Sequence, residues 1–466
     1  MPQTLTRERP ATPSMAGIAG DLRYGVSPNM RSTANEHETT EATGISPIEK
    51  LSLTQLQPDF YEARDWTRHI MQRADWMGMS REALLGAVLA VVSSRIPANV
   101  KACLTDCDEP MPLNLFVNLA GVTGNGKSRA IATAQRLCPD QSGQVAEINP
   151  ASGEAISAQY VERVKDGDEW QVTQRRDRAL MICTETTQVS ALSHRTGSTL
   201  IPELLKAWSG ETLGATTKTR ELDLRVGAGL YRLSAVFGVQ PAHAGIFVTE
   251  GTANGFAGRF LYFPTTDTTV KEDATTSKPK QKWHEPELPN SQQPVTITYP
   301  QIAKMAALRG IRMGTAGRVR DVDGHRVEQV ARVAAIYALM DGRTVVTDED
   351  WKLAEQVVSR SDMVRDWLFD EYRREAIRNE ANRVSASAQA RGEAEHQLFE
   401  RLSKRIRKAL EYGSMPRRDL GQKLARDYRY FSSVIDRMEA QGEVRKFEDD
   451  RGRVCYEIED TNILTC

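Results

Sequence analysis

The chain has 466 residues, enough for two or three domains that each bury a core. Its apolar fraction of 40% and charged fraction of 26% are typical of ordinary globular proteins. A net charge of -1 provides no overall field that attracts nucleic acid, so any such site must be local. The most apolar stretch, residues 83–92, is too short to cross a bilayer, and the N-terminus lacks an apolar signal core. We therefore expect a cytoplasmic protein that does not bind membranes.

The first hundred residues divide into a polar tail and a helical region. Residues 1–45 contain few large apolar side chains, which predicts a disordered tail. Residues 46–97 are predicted to be helical, because Tyr61, Trp66 and Ile70 recur at helical spacing and Ser80 can cap a following helix. Polar and apolar residues then alternate over 99–104, and a turn follows at 106–112, which together predict a hairpin.

The strongest motif is a phosphate-binding loop that fits G-x-x-x-x-G-K-[ST] at every defined position. An apolar run over 113–120 predicts a buried strand before it, and 129–137 predicts a helix after it. In this context backbone N–H groups point at phosphates, Lys127 lies along the β and γ phosphates of ATP, and Ser128 ligates Mg²⁺. The alternative is a chance glycine turn. The loop residues are Gly121, Val122, Thr123, Gly124, Asn125, Gly126, Lys127 and Ser128.

An acidic residue is expected at the end of the next buried strand. A helix is predicted over 155–165 and a strand over 179–184, which ends in Thr184 and Glu185. Glu185 is the candidate that holds the magnesium shell or polarises the attacking water. Asp is usual where Thr184 stands. Either Thr184 contacts the magnesium water shell, or the strand-end residues are wrongly assigned to this role. The alternative for Glu185 is an exposed strand-end carboxylate.

Further apolar segments complete the predicted core. A helix over 200–209 precedes a Thr-rich alternation at 214–226, which predicts a β-hairpin that carries Lys218, Arg220 and Arg225. A strand over 232–239 ends in Gln240, and the segment 255–263, which contains Arg259, returns to a strand. Apolar strands alternating with helices predict a parallel α/β sheet that binds ligand at the carboxyl ends of its strands.

The C-terminal half is predicted to be mainly helical. A polar linker or insertion covers 267–298, and a helical lid with a long connecting helix covers 299–394. Residues 395–466 are predicted to form a winged helix, with helices over 395–412, 416–426 and 430–442 and a hairpin of 444–447 with 454–458. A local basic patch on such a domain is typical of duplex DNA binding, although winged helices also serve as protein-contact modules. The patch consists of Arg417, Arg418, Lys423, Arg426, Arg429 and Arg437.

The order of these motifs resembles the AAA+ ATPases of replication helicases, especially the MCM type and helicase-like ATPases of phages and mobile genetic elements. In that family a strand-end Glu, a DNA-touching hairpin, a polar residue before Pro and an Arg-Phe pair follow the phosphate loop. Glu185, the hairpin at 218–225, Gln240 and Arg259 stand at these places. Thr184 and Gln240 depart from the family pattern, in which Asp and Asn are commoner. The likeness covers roughly residues 80–460, and within it only the phosphate loop is specific alone.

The resemblance implies a P-loop NTPase of AAA+/RecA-like fold, with its ATPase core over 98–266, N-terminal helices, a helical lid and a C-terminal winged helix. It further implies an oligomer, expected to be a hexamer, that holds ATP between subunits. Arg259 from the neighbour would then act as an arginine finger. Single-stranded DNA would pass through a central channel and duplex DNA would bind the winged helix. No primase motif is visible, so priming would require another protein.

Two rival interpretations remain open at the level of sequence. One is a nucleotide switch that uses ATP to assemble replication proteins without unwinding DNA. The other is a small-molecule kinase with an appended winged helix. The six cysteines are scattered without a zinc-ligand spacing, so buried or free thiols are expected and a structural metal is not.

Overall fold

Helices and strands alternate through the part of the chain that carries the predicted core. A computed structural model describes residues 51, 54–105, 110–166, 169–193, 195–214, 224–270, 278–279, 283, 285–290 and 293–459, and the tail predicted for residues 1–45 lies outside them. The first helices are α1 Pro58–Glu62, α2 Asp65–Met77 and α3 Arg81–Arg95. Next come β1 Val100–Cys103, β2 Met111–Pro112, β3 Phe116–Ala120, α4 Lys127–Leu137, β4 Val145–Ile148, α5 Glu154–Ser157, β5 Val161–Asp166, β6 Glu169–Gln174, β7 Arg178–Cys183, α6 Thr186–Ser193, α7 Leu200–Ser209, β8 Arg232–Val239, α8 Gly251–Ala253 and β9 Phe260–Pro264.

The remaining elements are mostly helical. They are β10 Val295–Thr298, α9 Gln301–Thr315, α10 Arg326–Met340, α11 Asp348–Leu410, β11 Met415–Pro416, α12 Arg417–Gln422, α13 Phe431–Ala440, β12 Val444–Glu448 and β13 Val454–Ile458. The predicted N-cap at Ser80 is confirmed, because its Oγ accepts a hydrogen bond from the N–H of Ala83 at 3.2 Å.

The central sheet has five strands, all parallel, in the order β4, β7, β8, β3, β9. From β3 the chain crosses to β4 at one edge, whereas from β8 it crosses to β9 at the other edge. Ligands of open parallel sheets bind outside the carboxyl ends of the strands where the direction of crossing reverses. The predicted parallel α/β core is confirmed, and its reversal lies after β3 and β8.

Both faces of the sheet are covered, which explains why its strands read as continuous apolar runs. On one face Val117, Leu119 and Phe263 pack in the layer that contains α3 and α4. On the other face Phe116 and Phe237 pack in the layer that contains α7 and part of α11. The phosphate loop is thus anchored between two buried apolar layers.

One predicted helix is wrong. The helix expected over 155–165 ends at Ser157, and β5 pairs antiparallel with β6, with Val161 opposite Gln174. The β-branched Val161 and Val164 disfavour helix, and a second run able to pair follows within a few residues. Val164 and Val172 are exposed on this two-stranded ribbon.

The polar segment 267–298 also differs from the prediction at its end. β10 pairs in parallel with β1, with Val295 opposite Val100, and β1 pairs antiparallel with β2. The hairpin predicted around residues 99–112 is formed by β1 and β2, but β2 lies within the predicted turn 106–112, and the loop-bearing β3 pairs instead with β8 and β9. Residues 106–109 lie outside the described part. Pairing with a distant strand, rather than local polarity, decides the structure of residues 295–298.

A single helix joins the sheet domain to the C-terminal residues. α11 has 63 residues, so the predicted long connecting helix and the helix predicted over 395–412 are parts of one element. The Ala-, Gln-, Glu- and Arg-rich sequence between them contains strong helix formers and no Pro. Residues 376–397 are all exposed, and at 1.5 Å per residue they extend about 33 Å. This stretch separates the sheet domain from the C-terminal unit.

The C-terminal unit, residues 399–459, has its own apolar core. Phe399 and Ile406 of α11 pack there with Leu420, Phe431 and Tyr456. The helices predicted over 416–426 and 430–442 correspond to α12, followed by a 3₁₀ segment Ala425–Tyr430, and to α13. The predicted hairpin is formed by β12 and β13, and β11 adds a third strand in the order β11, β13, β12.

Candidate functional site

The phosphate loop connects β3 to α4 at the reversal of the sheet. Gly124 and Gly126 have φ values of 86° and 76°, which glycine adopts without the strain of a side chain. α4 begins at Lys127, directly after Gly126. The N–H groups of the first turn of a helix lack intrahelical acceptors, so this turn offers donors and partial positive charge to an anion. The predicted strand, glycine turn and helix are all present.

The loop rests on the segment that follows β9, which the sequence analysis did not assign to the site. The N–H of Thr265 donates to the Ala120 carbonyl at 2.8 Å, and Asn125 Nδ2 donates to Thr266 Oγ1 at 2.9 Å. A Cβ on Gly121 would lie 1.9 Å from Thr265 Oγ1, so only glycine fits there. The only sequence signal for these threonines is their position at the end of a strand, which becomes informative once β9 is known to neighbour β3.

Lys127 is turned into the loop. Its Nζ donates to the carbonyls of Gly121 at 2.8 Å and Val122 at 2.7 Å, and the residue is 9% exposed. Burial lowers the pKa of Lys127, and the negative charge of Glu185 opposes this effect. Phosphate oxygens at the mouth of the loop are stronger acceptors for this ammonium group than carbonyls. The side chain is therefore placed to bind a phosphate chain.

Glu185 lies at the tip of β7, separated from β3 only by β8. A Cβ on Gly238 of β8 would lie 2.4 Å from the Thr184 carbonyl oxygen and 3.3 Å from Lys127 Cδ. The glycine thus lets the lysine side chain and the end of β7 approach each other across β8. Thr184 and Glu185 are both exposed at this edge, where an acidic residue can meet ligand and water.

Gln240 and Ser128 complete the polar groups at the same edge. Thr123 Oγ1 donates to Gln240 Oε1 at 2.9 Å, which ties the loop to the end of β8. Ser128 is exposed in the first turn of α4. Its hydroxyl and the carboxylate of Glu185 are oxygen donors of the type that Mg²⁺ prefers, so the residues present fit this ion.

A cavity of about 500 Å³ opens beside the loop. Its walls include Met79 and Ser80 before α3, Gly124 of the loop, and Thr266 and Val270 after β9. Arg129 spans it, because its Nη2 donates to the Gly78 carbonyl at 2.8 Å. A cavity of this size next to a phosphate loop is large enough for the nucleoside portion of a nucleotide.

Arg259 lies at the amino ends of the strands, whereas the phosphate loop lies at their carboxyl ends. It precedes β9, whose first residue Phe260 pairs with Phe116 at the start of β3, whereas the loop follows the end of β3. Five strand residues at about 3.3 Å each place it roughly 17 Å from the loop of its own chain. The structure therefore does not bring Arg259 together with Lys127 and Glu185 within one chain.

The Arg259 guanidinium instead stacks within its own chain. It lies 5.4 Å from the centroid of Trp208, and its Nη1 donates to the Gly255 carbonyl at 2.9 Å. Arg332, which is buried, stacks 3.5 Å from the same Trp208 and pairs with Glu328 at 3.5 Å. Burial lowers the pKa of Arg259, and Glu328 opposes this effect. Sequence patterns do not predict this Trp208 cluster, because Trp208, Arg259 and Arg332 come from three separate elements of the chain.

The predicted DNA contacts are only partly described. Lys218 and Arg220 lie outside the described residues, whereas Arg225 is exposed one residue before the bridge of Val226 to Leu213. That antiparallel bridge is consistent with a hairpin base. In the C-terminal unit Arg418, Lys423 and Arg426 are exposed.

The other three predicted basic residues of the C-terminal unit contact its own side chains. Arg417 donates to Tyr456 Oη at 3.2 Å and to Ser432 Oγ at 3.0 Å. Arg429 lies over Tyr430 at 4.7 Å, and Arg437 lies over Phe399 of α11 at 4.2 Å. These contacts orient the three guanidinium groups.

The described cysteines are free thiols, as predicted. Cys103, Cys138, Cys183 and Cys455 are free thiols, while Cys107 and Cys466 lie outside the described ranges. Burial raises the pKa of Cys138 to about 12 and that of Cys183 to about 11, so neither is a reactive thiolate at neutral pH.

Replacing Glu185 with Gln should separate binding from turnover. The amide fills the same space at the end of β7 but cannot accept a proton from water, so ATP should remain bound while hydrolysis falls by about 10²-fold or more. Equilibrium binding of a fluorescent ATP analogue and single-turnover hydrolysis measure the two effects. Glu162→Gln, on the exposed ribbon, removes the same charge as a control. Unchanged hydrolysis in the Glu185 variant would assign the role to another acid.

Comparison with protein-family models and with curated proteins gives no match to this sequence. Within the described ranges, no helix combines the length and the apolar character needed to cross a membrane.

Proposed function

We propose that the protein is an ATP-dependent DNA motor, an oligomeric replicative helicase or replication initiator of a phage or mobile genetic element. The observation that carries the proposal is the set of groups at the carboxyl ends of the central strands. There the Lys127 ammonium lies inside a glycine-rich loop, and the exposed Glu185 ends the strand on the far side of β8. A phosphate-binding cation and a carboxylate at one strand-order reversal suit the hydrolysis of a nucleoside triphosphate.

Each group at this edge has a role in the proposal. Lys127 binds the β and γ phosphates, Glu185 orients and deprotonates water, and Gln240 positions the loop through Thr123. The nucleoside occupies the cavity beside Met79 and Arg129. Ser128 and Glu185 hold Mg²⁺, which when bound neutralises charge on the phosphates.

The position of Arg259 favours an oligomer over a monomer in this proposal. Arg259 lies too far from the loop of its own chain to neutralise the γ-phosphate there. If Arg259 is the cation that does so, it must come from a neighbouring subunit. In a ring, the edge of one subunit that carries Arg259 faces the loop of the next. A hexamer is the arrangement implied by the resemblance to MCM-type ATPases.

Two separate elements are proposed to bind DNA. The hairpin at 214–226 contacts single-stranded DNA in the channel, and the C-terminal unit acts as a winged helix on duplex DNA. The exposed stretch of α11 holds the unit away from the sheet domain. Its own apolar core allows it to bind independently of the ATPase core.

The effect of DNA on hydrolysis tests the proposal. We expect single-stranded DNA to raise the ATPase rate severalfold, and native mass measurement with ATP to show a closed oligomer. A small-molecule kinase is indifferent to DNA, and an assembly switch hydrolyses slowly and does not separate a forked duplex. An ATPase that DNA does not stimulate, in a protein that stays monomeric with ATP, would overturn the motor.

Removal of residues 396–466 should separate the two DNA contacts. The deletion takes away the core built from Phe399 to Tyr456 but none of the residues that cover the central sheet. Duplex binding should weaken by about tenfold or more, because basic phosphate contacts are lost. DNA-stimulated ATPase should remain largely intact. If stimulation disappears with the C-terminal unit, the hairpin is not the contact that drives hydrolysis.

A further inference from the structure

A second cleft lies at the end of the sheet opposite the phosphate loop. It has a volume of about 760 Å³. Arg178, the first residue of β7, lines it, as do Gly229 and Leu230, which come shortly before β8. Because the strands are parallel, their amino ends lie here and their carboxyl ends lie at the loop. The cleft is therefore distinct from the nucleotide site.

The cleft carries an excess of positive charge. Lys101 of β1, Arg175 and Arg176 line it, and among the described residues none of them has a carboxylate within ion-pair distance. Asp177 is the one acidic residue among the described lining residues, and it is already paired with Arg178 at 3.0 Å. The chain as a whole has a net charge of -1, so this concentration of cations is local.

Hydrogen bonds fix the walls of the cleft. Gln174 Nε2 donates to the carbonyls of Leu230 at 2.6 Å and Arg176 at 3.1 Å, which joins the base of the ribbon to the segment before β8. Arg175 donates to the carbonyls of Gln159 at 3.1 Å and Ala158 at 3.2 Å. These acceptors are uncharged, so they orient the guanidinium without neutralising it. The Arg175 guanidinium is thus held in place before any ligand arrives.

Lys101 reaches the same wall because residue 229 is glycine. A Cβ there would lie 2.5 Å from Lys101 Nζ, and Gly229 has a φ of 66°. The ammonium group thus lies against backbone at the mouth of the cleft. The described lining residues include no aromatic side chain, so binding by base stacking is not favoured. The cleft offers cations and backbone groups, which suit phosphates.

The position of the cleft relates it to the predicted hairpin. Leu230 and Gly229 follow Arg225 by a few residues, and Val226, which bridges antiparallel to Leu213, lies between them in the chain. We infer that Lys101, Arg175 and Arg176 bind the phosphodiester backbone of single-stranded DNA, as an extension of the hairpin contact. The inference rests on the proposed DNA motor for the source of that strand.

The test compares a cleft variant with a charge-matched control. The cleft variant is Lys101→Ala/Arg175→Ala/Arg176→Ala. The control is Arg373→Ala/Arg374→Ala/Arg383→Ala on α11, where each arginine forms an ion pair with a carboxylate three residues earlier. Both lose three positive charges. The probe is a fluorescein-labelled 40-nucleotide oligodeoxythymidine, and anisotropy is measured from low to moderate salt with the full chain. Thermal unfolding confirms that both variants are folded.

The cleft variant should raise the Kd about tenfold or more and lower the slope of log K against log[salt] by about 2, since each lost phosphate contact contributes about 0.7 on a single strand. The control should bind like the wild type. An unchanged Kd and slope in the folded cleft variant, or a wild type that does not bind the oligonucleotide, overturns the inference. DNA-stimulated ATP hydrolysis by the wild type reports on the motor separately. Unchanged binding by the cleft variant, alongside stimulated hydrolysis in the wild type, refutes only the cleft. Cleft-dependent binding without ATPase refutes only the motor.

Discussion

Lys127→Ala should raise the Kd for ATP by about 100-fold or more. In the proposed site the lysine would supply charge-assisted hydrogen bonds to two phosphates, and each such bond contributes about 1.5–3 kcal/mol. In the structure the same ammonium donates to the carbonyls of Gly121 and Val122. Alanine therefore removes the main cation of the site and leaves the glycine turn and α4 in place.

Without ATP, the free energy of unfolding of Lys127→Ala should differ little from that of the wild type. Burial lowers the pKa of Lys127, which means that the folded state disfavours its charged form relative to water. Removing the charge consequently costs the empty protein little. The wild type should show a rise in Tm when ATP is added, and the variant should lose that rise while keeping the Tm of the empty protein.

A control on the same helix separates the loop from general electrostatics. Arg136 is exposed in the last turn of α4, and its Nε donates to the Ala132 carbonyl at 3.1 Å. Arg136→Ala removes one positive charge from the same helix and should leave ATP binding unchanged. A folded Lys127→Ala protein that still binds ATP as tightly as the Arg136 variant would remove the basis for the phosphate loop.

Sequence reasoning succeeded where a local pattern decides the structure. The bounds of α7 and β8 match the predictions over 200–209 and 232–239. Both are apolar segments that end at a glycine or a proline, which are strong terminators. The phosphate loop was predictable for a related reason, because its backbone angles require glycine at Gly124 and Gly126.

The failures have a different origin. Whether residues 155–165 form a helix or a strand depends on the pairing of Val161 with Gln174, and periodicity over so short a run does not distinguish the two. The parallel pairing of β10 with β1 joins residues almost two hundred positions apart, so no local window contains it. Thr265 packs against Gly121 only because β9 is paired with β3. Such contacts follow from strand order, which sequence patterns do not specify.

Arg259→Ala should bind ATP with nearly wild-type affinity but hydrolyse it about 10³-fold more slowly, if Arg259 acts on the γ-phosphate of a neighbouring subunit. The alternative is a structural role, since the guanidinium stacks on Trp208 next to Arg332. A structural role predicts instead a lower Tm, together with activity that Arg259→Lys restores by keeping the stack. Measurements of Tm, ATP affinity and turnover for both variants distinguish these outcomes.

Mixing two inactive variants provides the more decisive test, because a shared site can be rebuilt from defective subunits. A Lys127→Ala subunit should bind ATP poorly, yet it would still present Arg259 to a neighbour. An Arg259→Ala neighbour has an intact loop and Glu185, so the interface between them holds every group. Oligomers shown by native mass measurement to contain both variants should hydrolyse ATP faster than either variant alone, with a maximum at intermediate ratios. Verified mixed oligomers that show no recovery at any ratio would assign Arg259 to the Trp208 cluster alone, and Arg220 and Arg225 would be the next candidates for the inter-subunit cation.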